Sequence, residues 1–191
     1  MSTIPKLLKD VKENIKITST KLFIEYGYMN IDMRMISKQS GVSVGTLYNH
    51  YKNKKQLYIS ILYESWENTF KKLDNICNVD SCPKEKLKNF ITVLYEDIEA
   101  RKGLGRDLIN TQITELKEDS DIISLKNKLI FKIQSFIASL DKVDSINKCF
   151  DSNHKLAQTL LVSILTMYEL NSNDKEENIK FLITLMNQVI K

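Results

Sequence analysis

The sequence predicts an all-α protein. Its 191 residues contain two prolines and five glycines, so few positions interrupt a helix. Apolar residues recur every three or four positions along most of the chain, which is the spacing of one helix face. The predicted architecture is an N-terminal three-helix domain with a helix-turn-helix, residues 1–54, followed by a larger helical domain, residues 55–191.

The first three helices follow from periodicity and end signals. The first has one apolar face and stops at Gly27, where glycine can take the conformation that ends a helix. Asp32 is the predicted N-cap of the second helix, "MRMISKQS", which ends at Gly41. Ser43 then caps a third helix, "VGTLYNHY". Two helices of about eight residues joined by a glycine-containing turn form a helix-turn-helix. The inner face of the first helix consists of Ile15, Ser19, Leu22, Phe23 and Tyr26.

The later helices are longer and more apolar. Asn53 is the predicted cap of a fourth helix with a buried stripe from Tyr58 to Leu73. Four or five further helices follow after residue 75. The last two are separated by the polar link "NSND" and should form an antiparallel hairpin. Both are apolar over more than one stripe, so one face should meet the core and the other should meet a partner.

Composition excludes several classes of protein. The chain is 42% hydrophobic and 27% charged, enough to bury a core. No apolar run reaches the roughly 20 residues of a membrane span, and the polar N-terminus lacks the apolar region of a signal peptide. We therefore expect a cytoplasmic protein without a membrane partner. Cys77, Cys82 and Cys149 lack the spacing of a metal site, so reduced thiols are expected, with a redox-sensing pair as the alternative.

Positive charge is concentrated at the N-terminus. The net charge is +4, but residues 1–58 carry nine lysines and one arginine against four acidic residues. A basic front end on a mildly acidic body indicates that the front end meets a polyanion. A merely solvated lysine-rich face is the alternative.

The third helix has the composition of a DNA-reading helix. In a helix-turn-helix the second helix of the pair lies in the major groove. Small residues at its start allow close approach, and methyl and hydroxyl groups can contact bases or phosphates. Leu47 and Tyr51 should anchor the helix on the core. The candidate DNA-binding residues are Arg34, Ser43, Val44, Gly45, Thr46, Tyr48, Asn49, His50, Lys52 and Lys54.

This stretch resembles the DNA-binding domain of the tetracycline-repressor (TetR) family of bacterial transcription regulators. The resemblance runs from Leu22 to Tyr58 and includes "GVS-x-GTLY-x-HY" and the "K-x-x-L" opening of the fourth helix. Ile31 and Asp32 stand where hydroxyl residues are usual, which puts a backbone contact from the second helix in doubt unless Asp32 serves as a cap. Ser37 and Ser40 replace the usual small alanines.

The resemblance implies a homodimer built from the last two helices and a body that binds a small-molecule effector. A regulatory pocket lies between apolar helices, and the alternative, which we favour for each candidate wall residue taken singly, is that it belongs to the core. The pocket candidates are Trp66, Phe70, Tyr95, Ile113 and Phe131. The candidate interface residues are Leu161, Leu165, Tyr168, Leu182, Leu185 and Val189.

The expected function is a ligand-released repressor that binds a pseudo-palindromic operator as a dimer. Its expected partners are double-stranded operator DNA, a second copy of the chain and an unidentified small-molecule effector. No cofactor, metal or enzymatic activity is expected, because no paired catalytic groups or phosphate loop are present. The alternatives are a helix-turn-helix regulator without an effector, a helical enzyme with a basic face, and a nucleoid-type DNA binder without sequence preference.

Overall fold

A computed structural model describes residues 6–104, 113–171 and 173–191. Within these ranges the regular structure is α-helical, with one isolated β-bridge and no β-strand. This confirms the all-α prediction. The helices are α1 (Lys6–Tyr26), α2 (Met33–Ser40), α3 (Val44–His50), α4 (Lys54–Asn78), α5 (Pro83–Ala100), α6 (Thr114–Lys117), α7 (Ser120–Ala138), α8 (Asp144–Asn147), α9 (Ser152–Leu170) and α10 (Lys175–Asn187).

The three predicted N-caps of the front end are confirmed. The side chains of Asp32, Ser43 and Asn53 each accept a hydrogen bond from the backbone N–H three residues later. Each bond satisfies one of the donors that the first turn of a helix leaves without an intrahelical partner. For Asp32 the distance to the N–H of Met35 is 2.8 Å. The acid that departs from the family pattern is therefore used as a cap.

The predicted helix ends at glycine are also confirmed. Gly27 follows α1 with φ of +76°, and its N–H donates to the carbonyl of Phe23 at 3.0 Å. Gly41 follows α2 with φ of +68°. Side chains with a Cβ rarely adopt this left-handed conformation, so glycine is needed at both turns. Tyr26, expected on the inner face of α1, is 46% exposed in the last turn before Gly27.

An aromatic cluster joins the front end to α4. The ring of Phe23 meets that of Tyr58 edge to face at 4.9 Å between centroids, and Tyr28 lies 4.9 Å from Tyr58. All three side chains are buried. Because Tyr58 belongs to the second turn of α4, this helix packs with α1 before it enters the body. The predicted boundary after residue 54 remains a prediction.

The body is a layered bundle of α4, α5, α7, α9 and α10. Its most extensive contact is between α7 and α9, and α10 packs against both α5 and α9. In the centre, Phe90 of α5 stacks on Phe136 of α7 with ring centroids 3.9 Å apart. Tyr95 of α5 is buried, and its hydroxyl oxygen accepts a hydrogen bond from the amide of Asn178 at 2.9 Å. This bond fixes α10 against α5.

Two predicted elements differ from the structure. The helix expected in "LGRDLINTQITELKED" falls mostly on residues 105–112, outside the described residues, and only Thr114–Lys117 is helical in the remainder. The last helix ends at Asn187 instead of continuing to the last residue. Beyond it the backbone turns onto the α7–α8 connection, where the N–H of Val143 donates to the carbonyl of Val189 at 3.0 Å.

No helix in the described ranges is both long enough and apolar enough to cross a membrane. Cys77, Cys82 and Cys149 are free thiols. Cys77 is half-buried, and burial raises the pKa of its thiol.

Candidate nucleic-acid interface

Two serine hydroxyls bond to backbone carbonyls at the end of α2, one of them across the turn to α3. The buried hydroxyl of Ser37 donates to the carbonyl of Val42 at 2.6 Å, across the turn. The hydroxyl of Ser40 donates to the carbonyl of Ile36 at 2.7 Å. A buried hydroxyl must find such a partner, because leaving it without one is costly. Of the two serines that replace the family's usual alanines, Ser37 therefore ties α2 to the turn, and Ser40 bonds within the last turn of α2.

The inner side of α3 is anchored in the core. Leu47 is fully buried, and Tyr51, directly after the helix, is 3% exposed. At the start of the helix, the Ser43 hydroxyl oxygen accepts from the backbone N–H of Thr46 at 3.0 Å. The two hydroxyls of Ser43 and Thr46 also share a hydrogen bond at 2.8 Å. The first turn is therefore rigid before any partner binds.

The outer side of α3 is exposed and contains small side chains. Val44 is 40% exposed, Tyr48 is 49% exposed, and Asn49 is exposed between them and the helix end. A Cβ added at Gly45 would meet only the Ser43 hydroxyl oxygen, at 3.8 Å. The fold itself therefore does not require glycine at this position. Open space above a helix start is what close approach to a nucleic-acid backbone or base edge requires.

The remaining predicted DNA-binding residues lie on α2, on α3 and in the turn between α3 and α4. Arg34 is exposed on α2, and Thr46 and His50 are half-exposed on α3. Lys52 is exposed directly after α3, and none of the described residues provides an ion-pair or hydrogen-bond partner for its amine. The predicted residues of α2, α3 and the α3–α4 turn are thus exposed or half-exposed, and their contact with DNA stays a prediction.

Lys54 differs from the other predicted contacts because it has a partner inside the protein. Its amine donates to the backbone carbonyl of Tyr28 at 2.8 Å and lies 4.2 Å from the centre of the Tyr28 ring. Burial lowers the pKa of the Lys54 ammonium group. Lys54 therefore ties the start of α4 to the α1–α2 turn, which leaves Lys52 as the more accessible cation.

Lys55 joins the start of α4 to the body. Its amine forms an ion pair with the Asp119 carboxylate at 2.7 Å. Asp119 is itself the N-cap of α7, and it accepts from the N–H groups of Asp121 and Ile122. Burial alone would raise the pKa of Asp119, but the hydrogen bonds from Lys55 and from these N–H groups lower it. Sequence reasoning missed this pair because its two residues are 64 positions apart.

None of the predicted pocket residues lines either of the two cavities found in the described part of the chain, so their role stays a prediction. Trp66, Phe70 and Tyr95 are all less than 5% exposed and belong to the packed core of the body. Ile113 is half-buried, and Phe131 is 67% exposed on α7. The aromatic side chains that looked suitable for a pocket wall mostly fill space between α4, α5 and α7.

The predicted interface residues divide into two groups. Leu161 and Leu182 are 2% and 1% exposed, so they pack inside the chain's own core and are not free to face a partner. Leu185 is 43% exposed. Leu165, Tyr168 and Val189 are half-buried at the edge of the core. Three exposed apolar side chains that were not predicted share these two helices, namely Val162, Leu170 and Phe181.

The fold and this surface define a helix-turn-helix transcriptional regulator. Residues 18–61 match the model of a family described as bacterial regulatory proteins, tetR family. These residues match the DNA-binding domain of that family, which confirms the resemblance predicted from the motif between Leu22 and Tyr58.

Curated relatives and solved structures agree with this family. The chain is 31% identical over 108 residues to an uncharacterized HTH-type transcriptional regulator of Bacillus subtilis, YuxN, covering 56% of this chain and 36% of YuxN. It thus spans only about a third of the length of such relatives.

Two solved structures cover nearly the whole chain. The fatty acid degradation regulator FadR from Bacillus halodurans has a TM-score of 0.73 and 18% identity, covering 97% of this chain and 96% of FadR. AibR, solved with isovaleryl coenzyme A and operator DNA, has a TM-score of 0.71 and 18% identity, covering 92% of this chain and 97% of AibR. At these identities the likeness concerns the fold.

Proposed function

We propose that this protein binds a pseudo-palindromic operator as a homodimer and represses transcription until a small-molecule effector releases it. The observation that carries the proposal is the outer surface of α3. Its inner residues are locked into the core, whereas Val44, Gly45 and Tyr48 face outward with open space above the glycine. A rigid helix with a small-residue start fits a major groove about 12 Å wide.

Dimerisation is proposed from the apolar surface of α9 and α10. Phe181 and Leu185 are four residues apart on α10 and are 56% and 43% exposed. Residues at this spacing lie on the same side of a helix. Exposed neighbouring apolar side chains indicate a protein partner, and a second copy would pair this surface with itself around a two-fold axis. Two copies of α3 would then face two half-sites of a palindrome.

Effector control is the third part of the proposal. It is supported by the TetR-family fold and by AibR, whose structure contains both isovaleryl coenzyme A and operator DNA. The alternative is a regulator of the same fold that responds to no small molecule. No enzymatic role is proposed, since the relatives are transcriptional regulators.

Selection from random duplex DNA tests the central proposal. The purified full chain should enrich an inverted repeat whose half-sites are about one helical turn apart, roughly 34–36 Å, or a multiple of that distance. Thr46→Ala should blur the preference at a few base positions while leaving phosphate contacts intact. Enrichment of base composition alone would instead indicate a nucleoid-type binder, and a failure to retain any DNA would contradict DNA binding altogether.

A further inference from the structure

A cleft of about 500 Å³ lies between α1, α4 and the C-terminal end of α5. One side is formed by successive turns of α1, and the other side by successive turns of α4. The cleft shares no lining residue with the exposed surface of α3. Its volume is within the range of small-molecule sites, about 300–1,000 Å³. It therefore offers a site for a ligand at the junction of the helix-turn-helix and the body.

Part of the cleft lining is apolar. Ile17 and Ile24 of α1 face Ile61 of α4 and Leu104, which follows α5. Ile17 is 50% exposed, whereas Ile15, two residues earlier, is fully buried in the core. An apolar ligand would cover Ile17 and remove its side chain from water, which is favourable in proportion to the area buried.

The charges around the cleft favour an anion. The charged lining residues are Glu13, Lys16, Lys21, Glu64, Lys72, Asp97 and Arg101. Two of the three acids are neutralised inside the cleft: Glu64 pairs with Lys16, and Asp97 pairs with Lys72 at 2.7 Å. In the described part of the chain, Lys21 has no ion-pair partner. Lys21 lies on α1 between Ile17 and Ile24 and lines the cleft.

Arg101 adds a fixed positive charge beside the same cleft. It is 7% exposed, and its guanidinium lies 3.9 Å from the centre of the Trp66 ring. The guanidinium also donates to the Ser65 hydroxyl at 2.8 Å and to the hydroxyl of Thr69. Burial lowers the pKa of Arg101 to about 10, with Asp97 opposing the change, so the group stays charged at neutral pH. This arrangement also places the chain's one tryptophan next to the cleft.

We propose that this cleft binds a small organic anion with an apolar body, and that this anion is the effector of the regulator. The apolar body lies on Ile17, Ile24 and Ile61, and the acidic group lies near Lys21. The regulatory part of the inference rests on the proposed function, whereas the binding site does not.

The position of the cleft explains how such a ligand could act on DNA binding. Its walls are α1, which belongs to the helix-turn-helix domain, and α4, which continues into the body. The ion pair between Lys16 and Glu64 joins these two walls directly. A ligand that prefers one separation of α1 and α4 shifts the equilibrium between them by its difference in affinity for the two states. Operator DNA must then change the affinity for the ligand by the same factor.

Binding is tested first without DNA, through the fluorescence of Trp66. The probes are decanoate, decanol and decyltrimethylammonium, which share one chain length and differ in charge, each used below its micelle concentration. Decanoate should change Trp66 emission saturably and bind at least about tenfold more tightly than the ammonium probe, a difference of about 1.4 kcal/mol. Equal binding of the two charged probes would overturn the assignment of an anion.

Two variants locate the site, each with a matched control on α7. Ile17→Gln should weaken both decanoate and decanol about tenfold, while Ile123→Gln, at a 44% exposed position, should not. Lys21→Gln should weaken decanoate about threefold and leave decanol unchanged, as for an exposed ion pair, while Lys126→Gln should have no effect. If decanoate binds Ile17→Gln as tightly as the unmodified protein, the ligand occupies another site and the proposal fails.

The regulatory role is tested separately on the selected operator. Saturating decanoate should change operator affinity, and Ile17→Gln should abolish that change. Anion binding with unchanged operator affinity would reject the effector role but keep the site. A protein that selects no operator would contradict the proposed function, while the fluorescence titrations would still decide whether the cleft binds an anion.

Discussion

Helices α2 and α3 of the helix-turn-helix each begin with a hydrogen bond to the side chain of a short polar N-cap residue. Within the described residues, α9 and α10 begin without such a bond. Asp32 and Ser43 accept hydrogen bonds from the first turns of their helices. Asp151 and Asp174 occupy the same positions before α9 and α10, and within the described residues their side chains make no capping bond. The N-terminal helices are therefore closed locally, and the C-terminal pair depends on packing.

The exposed surfaces of the two regions differ in the same way. The outer face of α3 combines Val44 and Tyr48 with a glycine and polar side chains, near the free cation Lys52. The exposed positions of α9 and α10 are mainly large and apolar, as at Phe181 and Leu185. The first surface suits a charged, hydrated partner, and the second suits a dry contact with another protein. This difference supports the proposal that DNA binds at one end of the chain and that self-association uses the other.

The largest expected effect comes from placing charge on the apolar surface of α10. Phe181→Glu combined with Leu185→Glu should give a monomer, because neither side chain is needed by the core and a buried glutamate is costly. Operator affinity should fall at least about a hundredfold, because two linked half-site contacts become one. Sedimentation and fluorescence anisotropy measure the two results.

Val79→Glu is the matched control, since Val79 is 57% exposed at the end of α4 and should tolerate the change. Leu161→Glu is a poor test, because that side chain lies in the core and its substitution would unfold the chain. If the unmodified protein sediments as a monomer at micromolar concentration, this surface of α10 is not a dimer interface.

The next largest effect concerns Gly45, where one substitution should change stability and operator affinity in opposite directions. Gly45→Ala should raise the free energy of unfolding by up to about 1 kcal/mol, because alanine favours a helix and has room here. Operator affinity should nevertheless fall about tenfold, or about 1.4 kcal/mol, since the added methyl group lies where DNA must approach. Urea unfolding and anisotropy together measure these opposite changes.

Gly41→Ala provides the contrast, because its φ of +68° is strained for alanine. This variant should lose stability by about 1 kcal/mol. If Gly45→Ala binds the operator normally, the start of α3 does not approach DNA closely, and the reading of the small residues is wrong.

The same contrast explains what the sequence could predict. Caps and glycine stops act within a few residues, so Asp32, Ser43, Asn53, Gly27 and Gly41 were all predicted correctly from local patterns. The bounds of α2 were predicted to the residue. These local features are sufficient to predict the helix-turn-helix without knowledge of any tertiary contact.

Features that depend on distant residues were not predicted. Lys54 looks like a phosphate contact in the sequence, but its carbonyl partner Tyr28 is 26 residues away. Arg101 looks like an ordinary cation at a helix end, yet it is buried against Trp66. An apolar residue such as Leu161 has the same periodicity whether it meets the core or a partner, so the pattern cannot separate the two groups.

A smaller effect tests the difference in capping with one kind of substitution at two sites. Asp32→Ala should lower the free energy of unfolding by about 1 kcal/mol, because the N–H of Met35 loses its partner. Asp174→Ala should have little effect, since no capping bond is found there in the described part of the chain. Both residues are exposed, so burial does not complicate the comparison. Equal losses in urea unfolding would show that the two helix starts do not differ as described.

The smallest expected effect distinguishes two neighbouring lysines at the edge of the DNA-facing surface. Lys52→Ala removes an exposed amine without an internal partner, so it should weaken all DNA sequences alike and flatten the log–log salt dependence by about 0.9 for one phosphate. Lys54→Ala removes the bond to the Tyr28 carbonyl. It should therefore lower stability while changing the salt slope much less.

Titrations of operator affinity against salt, paired with urea unfolding of each variant, separate these two roles. The expected pattern is a flatter slope with unchanged stability for Lys52→Ala, and the reverse for Lys54→Ala. A flatter slope for Lys54→Ala alone would mean that its amine leaves Tyr28 when DNA binds. The start of α4 would then move on binding, and because the adjacent Lys55 is paired with Asp119, that movement would be transmitted to the cap of α7 in the body.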